Sequence, residues 1–247
     1  MSRPIAMASF LFLLAGCARE QMGDCFKGRG GDAVEQRYLA PFTALVLNDK
    51  VDVTIAQDTT LTGPVVAVMA GRNELPNIRT EVRDGALHIG NNMRCNWVRD
   101  MAKRPVVRIT VAHLDRILNT GIGDVTGITP FHGDHFRLEQ WDGHGTVTLT
   151  LHVASCHVEL HTGVGDAVLS GTADQAYYYV STLARVDAHG LEAGQVLVNN
   201  SGTCDILCRA TDTLVADIHA MGDVYFGGNP DVVQAHITGS GQLVPLP

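Results

Sequence analysis

The chain has 247 residues, of which 45% are hydrophobic, 18% are charged and 26 are Gly. This length and apolar content suffice for one large domain or two small ones and exclude a disordered chain. The only long, predominantly apolar run is 5–14, which excludes a protein that crosses a membrane several times. Residues 121–247 carry three basic and 14 acidic side chains, a balance of −11, which disfavours nucleic-acid binding by this half.

The N-terminus has the features of an export signal. One positive charge, Arg3, precedes the apolar run 5–14, and small residues follow in Leu14-Ala15-Gly16-Cys17. Cys directly after Leu-Ala-Gly resembles the bacterial lipobox, which implies that the Cys17 thiol is acylated, palmitate being one such acyl chain, and that Cys17 becomes the first mature residue. The alternative is an ordinary signal peptide with an incidental Cys.

These features divide the chain into three parts. We predict a lipoprotein signal peptide over 1–16, a polar Gly-rich tether over 17–36 and a folded domain over 37–247. The residue after Cys17 is Ala18 rather than Asp, which in the enteric sorting rule implies an outer membrane lipoprotein, facing either the periplasm or the surface.

The first half of the folded part reads as strands. Apolar and polar residues alternate over 42–55, and shorter alternating segments follow at 65–69, 78–82, 86–89 and 106–111. Asp84-Gly85 between two of these segments predicts a hairpin turn. No helical pattern longer than a few turns occurs after the signal.

The second half is organised by a recurring Gly-containing turn. Thr120-Gly121-Ile122-Gly123-Asp124 is one example, and similar turns begin near residues 143, 163, 202, 220 and 239. The gap from 163 to 202 equals two periods, so a copy without glycines is expected near Leu183. The period is therefore close to 20 residues over seven copies, which is typical of a solenoid.

The flanking pattern decides which solenoid is expected. Residues on both sides of each turn alternate with period two, which indicates strands with one buried face. The leucine-rich repeat consensus is missing, so we predict an all-β parallel β-helix with coils of about 20 residues and a stack of seven coils about 34 Å long. Each turn Asp is expected to cap its own turn.

The cysteines support only limited predictions. Cys25 and Cys95 both lie outside the repeats, so we expect these two to pair. Cys204 and Cys208 are about 13 Å apart in an extended segment, which is too far for a disulfide. Cys208 occupies an inward position of the repeat and is interpreted as a small core residue. The pairing of Cys156 is left open.

The order of these features is similar to a known bacterial family. A strand leading to Val51-Asp52-Val53-Thr54-Ile55 is followed by Leu75-Pro76-Asn77-Ile78, by Asp84-Gly85-Ala86-Leu87-His88-Ile89 and by the serial Gly-x-Gly-Asp turns. Residues 37–247 thereby resemble the putative auto-transporter adhesin, head GIN domain family. The resemblance implies a right-handed parallel β-helix in exported, often lipidated proteins, and supplies no catalytic residue.

Three functions are compatible with these features. The favoured one is a lipid-anchored, adhesin-like binding module without catalytic activity, bound to the membrane through Cys17 and presenting the β-helix to a macromolecule or glycan. The second is a structural or assembly lipoprotein of the envelope. The third is a carbohydrate-active enzyme that uses stacked turn carboxylates, namely Asp124, Asp166, Asp205 and Asp223.

A metal site is the remaining chemical alternative. Nine of the eleven His residues follow position 130, among them His132, His135, His152, His157 and His161, and two His with an Asp could hold zinc or copper. His157 and His161 alternate with Val158 and Leu160, which are expected to point inward. The two His side chains are therefore expected to point outward as ordinary surface residues rather than as metal ligands. We therefore expect no metal, no cofactor and no nucleic-acid partner, and the oligomeric state is left open.

Overall fold

The computed structural model describes residues 28–93 and 103–246. The predicted signal peptide 1–16, the lipidation site Cys17 and the predicted Cys25–Cys95 pair lie outside these ranges. The described residues contain no helix with the length and hydropathy that a membrane crossing requires.

Strands account for almost all the regular structure of the described residues, as the alternating pattern predicts. The short strands of the first half are β1 (Asp32–Arg37), β2 (Ala44–Leu47), β3 (Asp52–Gln57), β4 (Val65–Gly71), β5 (Ile78–Arg83), β6 (Ala86–Asn91), β7 (Val106–Val111), β8 (Arg116–Asn119) and β9 (Val125–Gly127). The later strands are β10 (Phe131–Gln140), β11 (Val147–Leu160), β12 (Ala167–Val180), β13 (Val186–Asn200), β14 (Ile206–Ile218), β15 (Val224–Gly228), β16 (Val232–Ile237) and β17 (Leu243–Pro245). A 3-10 turn, Leu75–Asn77, precedes β5.

The long strands stack in parallel, one coil upon the next. Leu160 of β11 lies opposite Val180 of β12, Val180 lies opposite Asn200 of β13, and Asn200 lies opposite Ile218 of β14. Equivalent residues are thus 18 to 20 positions apart, which confirms the all-β solenoid and its coil length of about 20 residues.

The copy without glycines is also a turn of the solenoid. Ser181 N donates to Leu160 O at 3.0 Å, and Ser201 N in the next turn donates to Val180 O at 2.8 Å. The same backbone contact therefore joins this turn to both neighbours, although its sequence has lost the Gly signal.

The predicted number of coils requires a correction. The solenoid has about six coils rather than seven, because the seven recurring turns of the sequence pattern bound only six intervening coils. At the strand spacing of about 4.8 Å, six coils extend roughly 29 Å instead of 34 Å.

The first half extends the same sheet and covers one end of the stack. β2 pairs in parallel with β6 and β8, and β3 pairs in parallel with β7 and β9. Antiparallel pairs β1–β4, β4–β7 and β5–β6 complete this end. Asp84 and Gly85 have φ values of 51° and 74°, which confirms the predicted tight hairpin turn. β1 begins at Asp32, inside the segment predicted as tether.

The core lies between the inward rows of all the coils. Alternate residues of β11, such as Leu149, Leu151 and Val158, are almost fully buried. Cys208 is buried opposite Phe226, which confirms its interpretation as a core residue. The largest buried side chain is Tyr178, and its hydroxyl has no hydrogen-bond partner among the described residues.

Glycines are required where the turns of successive coils meet. A Cβ atom on Gly145 would lie 1.8 Å from the carbonyl oxygen of Gly123, and one on Gly123 would lie 1.9 Å from the carbonyl oxygen of Val51. No side chain fits at such distances, so these glycines allow neighbouring turns to touch through their backbones.

Gly145→Ala is therefore expected to lower the free energy of unfolding by about 1–3 kcal/mol, the usual effect of overpacking. Urea unfolding followed by circular dichroism measures it. Gly133→Ala is the matched control, because its Cβ would meet nothing closer than 3.9 Å, and its effect should stay within about 0.5 kcal/mol. Equal stability of the two variants would contradict the close turn contact.

Candidate functional site

The turn aspartates link coils instead of capping their own turns. In four examples, an Asp Oδ1 accepts the backbone N–H of the equivalent residue one coil later: Asp124 from Thr146 at 2.9 Å, Asp166 from Arg185 at 2.8 Å, Asp205 from Asp223 at 3.0 Å and Asp223 from Gln242 at 2.8 Å. The predicted local caps are thus corrected. The parallel stack places the next coil's N–H directly above each carboxylate.

Buried amide side chains inside the turns were not predicted from the sequence. Asn200 is fully buried, and its Oδ1 accepts the Gly202 N–H at 3.1 Å while Nδ2 donates to Cys204 O at 3.1 Å. Asn119 and Gln140 are similarly buried and joined, Asn119 Nδ2 donating to Gln140 Oε1 at 2.9 Å. The signal that could have identified two of them is an Asn two residues before the turn Gly.

The histidines are exposed or partly exposed and do not converge. His132 and His152 stack with their ring centroids 5.0 Å apart, on successive coils. Within 28–93 and 103–246, no group of three or more His, Cys, Asp or Glu side chains is arranged to hold a metal ion. The outward parity predicted for His157 and His161 is confirmed by the burial of Val158 and Leu160.

Three described cysteines are free thiols, namely Cys156, Cys204 and Cys208. The absence of a Cys204–Cys208 bridge agrees with their predicted separation. Burial raises the pKa of both Cys156 and Cys208 to about 12. Cys204 differs, because its partly exposed Sγ donates to Leu183 O at 3.1 Å in the preceding turn.

A cluster of aromatic and histidine side chains lies on the outer surface where β10, β11 and β12 end. In-register pairing places His157 beside Tyr177 and Glu159 beside Tyr179, one coil apart. Trp141 and His161 follow the ends of their strands at the same edge. We call the set Trp141, His157, His161, Tyr177 and Tyr179 the aromatic face.

The members of the aromatic face contact one another across coils. Trp141 and His161 stack with centroids 3.9 Å apart and planes 13° apart, and His161 lies 5.3 Å from Tyr179. His157 and Tyr177 form a second pair at 5.7 Å. Trp141 nevertheless remains 47% exposed, so part of its indole ring is open to solvent.

Charged groups beside the aromatic face compensate one another. Glu139 binds Arg116, whose Nε lies 2.9 Å away, and Arg137 at 2.8 Å. Arg137 also binds Glu159 at 3.0 Å, and Glu159 contacts His161 at 3.3 Å. Two arginines therefore balance two glutamates, so this network carries no formal net charge when His161 is neutral.

The phenol of Tyr177 stays protonated well above neutral pH. Partial burial raises its pKa, and the nearby negative charge of Glu159 adds to the effect. The hydroxyl therefore remains a hydrogen-bond donor at neutral pH.

A polar cleft of about 420 Å³ lies across β12, β13 and β14, on the N-terminal side of Tyr177. Its lining comprises hydroxyl, amide and carboxylate groups together with two small residues: Thr172, Ala173, Asp174, Gln175, Glu192, Gly194, Gln195, Thr211 and Asp212. Gln175 Nε2 donates to Gln195 Oε1 at 3.4 Å across adjacent coils. Gln175 precedes Tyr177 by two residues, so both point outward from the same strand.

The sequence of the chain also identifies its family. Residues 41–230 match the family described as putative auto-transporter adhesin, head GIN domain. The chain belongs to this family. The predicted resemblance is thereby confirmed. No protein with a curated description matches the sequence of this head GIN chain.

Solved structures share the head GIN solenoid. A putative adhesin from Bacteroides fragilis is 22% identical with a TM-score of 0.82, covering 89% of this chain and 100% of that one. A putative adhesin from Parabacteroides distasonis is 20% identical with a TM-score of 0.67, and a putative lipid binding protein from the same species is 17% identical with a TM-score of 0.62; each comparison covers 88% of this chain and 98% of the other. At these identities the likeness shows the common fold.

The buried thiols predict a loss of stability in alkali. In the unfolded chain a thiol with a pKa near 9.0 releases its proton above pH 9, whereas Cys156 and Cys208 retain theirs to about pH 12. The folded state then binds more protons, so stability should fall between pH 9 and 12. Urea unfolding across this range measures the slope.

Cys156→Ala provides the comparison for this slope. It removes one titrating thiol, so the fall should become shallower by up to about 1.4 kcal/mol per pH unit. An unchanged slope would show that Cys156 is not shielded from solvent.

Proposed function

We propose that this head GIN protein is an exported, lipid-anchored binding module of the cell envelope, adhesin-like and without catalytic activity. The observation that carries the proposal is the exposed aromatic face on a rigid solenoid. Solvent-exposed aromatic clusters of this kind are characteristic of binding surfaces, since Trp and Tyr supply large contact area at little cost in side-chain entropy. The family and its structural neighbours agree with an adhesin-like role.

The anchor is proposed from the sequence. Acylation of Cys17 after removal of residues 1–16, with Ala18 next, would hold the protein in the outer membrane through a Gly-rich tether that leads toward β1. A right-handed winding of the coils accords with the strong preference of connections between parallel strands. A lipid tether at one end leaves the lateral faces of the solenoid free for a partner.

The carboxylate enzyme is the less favoured alternative. The turn aspartates that an acid/base pair would use are engaged with backbone N–H groups of the next coil. The other alternative is a structural or assembly lipoprotein. Such a protein would require a stable partner in the envelope, whereas the proposed binding module would bind a ligand at its exposed surface.

Cys17→Ser tests the anchor. The variant lacks the thiol that would be acylated, so we expect it to leave the membrane fraction and to lose metabolic labelling with palmitate. Cys25→Ser is the matched control and should stay in the membrane and remain labelled. Membrane retention of Cys17→Ser with its label intact would contradict lipid anchoring at this residue.

Paired variants test the aromatic face. The full chain, in detergent, is applied to printed arrays of extracellular-matrix proteins and of glycans. Binding to a recognised spot should weaken at least about tenfold in Trp141→Ala and Tyr179→Ala, the scale of truncating an interface anchor. Tyr38→Ala is the control, because Tyr38 is 97% exposed and does not belong to the face.

Two results would overturn this proposal. Binding that persists unchanged in both aromatic variants would place the binding surface elsewhere. Binding to no arrayed probe, together with stoichiometric co-purification of an envelope protein, would favour the structural lipoprotein.

A further inference from the structure

The class of ligand can also be inferred, and this inference rests on the proposed function. We infer that the aromatic face and the adjoining polar cleft bind an uncharged glycan chain, whose sugar rings pack on aromatic side chains while its hydroxyls bond to groups in the cleft.

The aromatic part of the site suits the carbon–hydrogen surfaces of sugars. A pyranose ring has apolar faces and a rim of hydroxyls, and its polarised C–H groups are attracted to the electron-rich face of an aromatic ring. The described face offers Trp141 at one edge and Tyr177 beside the cleft, on different coils. Contacts on several coils suit a chain of sugars better than a single small molecule.

The cleft supplies the groups that sugar hydroxyls require. Gln175 and Gln195 each provide a donor and an acceptor, and Thr172 and Thr211 add hydroxyls. The carboxylate of Asp174 makes no hydrogen bond or ion pair with any residue in the described part of the chain, so it is free to accept from a ligand. A mixed set of donors and acceptors beside an aromatic ring is well suited to vicinal hydroxyls.

Charge decides which glycans fit. Asp174, Asp212 and Glu192 line the cleft, and within 28–93 and 103–246 the only basic side chain paired with them is Arg209, which contacts Glu192 at 3.2 Å. The arginines beside the aromatic face are already paired with glutamates. A sulfated or uronic-acid polymer, or an anionic lipid surface, would meet uncompensated carboxylates. An uncharged chain meets no such penalty.

The test uses isothermal titration calorimetry of the full chain in detergent. The uncharged probes are cellohexaose, chitohexaose and laminarin, and the anionic probes are heparin and alginate. At least one uncharged probe should bind, with an affinity that changes less than twofold between 50 and 500 mM NaCl, because screening affects only charged contacts. The anionic probes should not bind.

Variants on both halves of the site make the assignment specific. Tyr177→Ala and Gln195→Ala should each weaken binding of that probe by about fivefold or more, whereas Tyr38→Ala should bind as the wild type does. Circular dichroism and the thermal midpoint establish that each variant is folded. Unchanged affinity in both site variants would overturn the inference.

The remaining outcomes separate this inference from the function it rests on. If matrix proteins bind through the aromatic face and no uncharged glycan binds, the glycan inference fails and the binding module stands. Preferential, salt-sensitive binding of heparin or alginate also overturns the glycan assignment. If neither matrix proteins nor glycans bind, both proposals fail.

Discussion

In-register stacking of coils at the spacing of hydrogen-bonded strands is the constraint on which the whole molecule depends. Parallel pairing from β10 to β14 places most residues directly above their equivalents one coil earlier, at about 4.8 Å, with local register shifts in β12, β13 and β14. The turns must close at the same spacing as the strands. Gly123 and Gly145 allow this because their backbones approach more closely than any Cβ would permit.

Because the coils repeat at this spacing, side chains at equivalent positions of successive coils lie one above the other. The turn aspartates connect coils through backbone N–H groups, and the buried amides of Asn119, Gln140 and Asn200 satisfy polar atoms that the turns carry into the interior. On the outside, the same geometry brings Trp141, His161 and their neighbours into contact although they are 20 residues apart. Stability and the candidate binding surface therefore arise from one repeat.

The repeat could be predicted from the sequence, whereas the grouping of residues on its outer surface could not. Regular Gly turns and period-two alternation predict the solenoid, its coil length and the inward Cys208, because each depends on local pattern. The aromatic face joins a Trp, two His and two Tyr from different copies, so no repeated residue type marks it. The role of Asp124 and its equivalents also required the register, since a carboxylate can bond its own turn or the next coil. The number of coils was overestimated, because the seven recurring turns of the sequence pattern bound six coils rather than seven.

The central claim is that coil stacking assembles the aromatic face, and nuclear Overhauser effects between its rings test this most directly. With Trp, His and Tyr selectively protonated in an otherwise deuterated chain, strong cross-peaks are expected between Trp141 and His161, whose centroids are 3.9 Å apart, and weaker ones between His161 and Tyr179. Absence of both sets of cross-peaks in the folded protein would contradict the register and the face built on it.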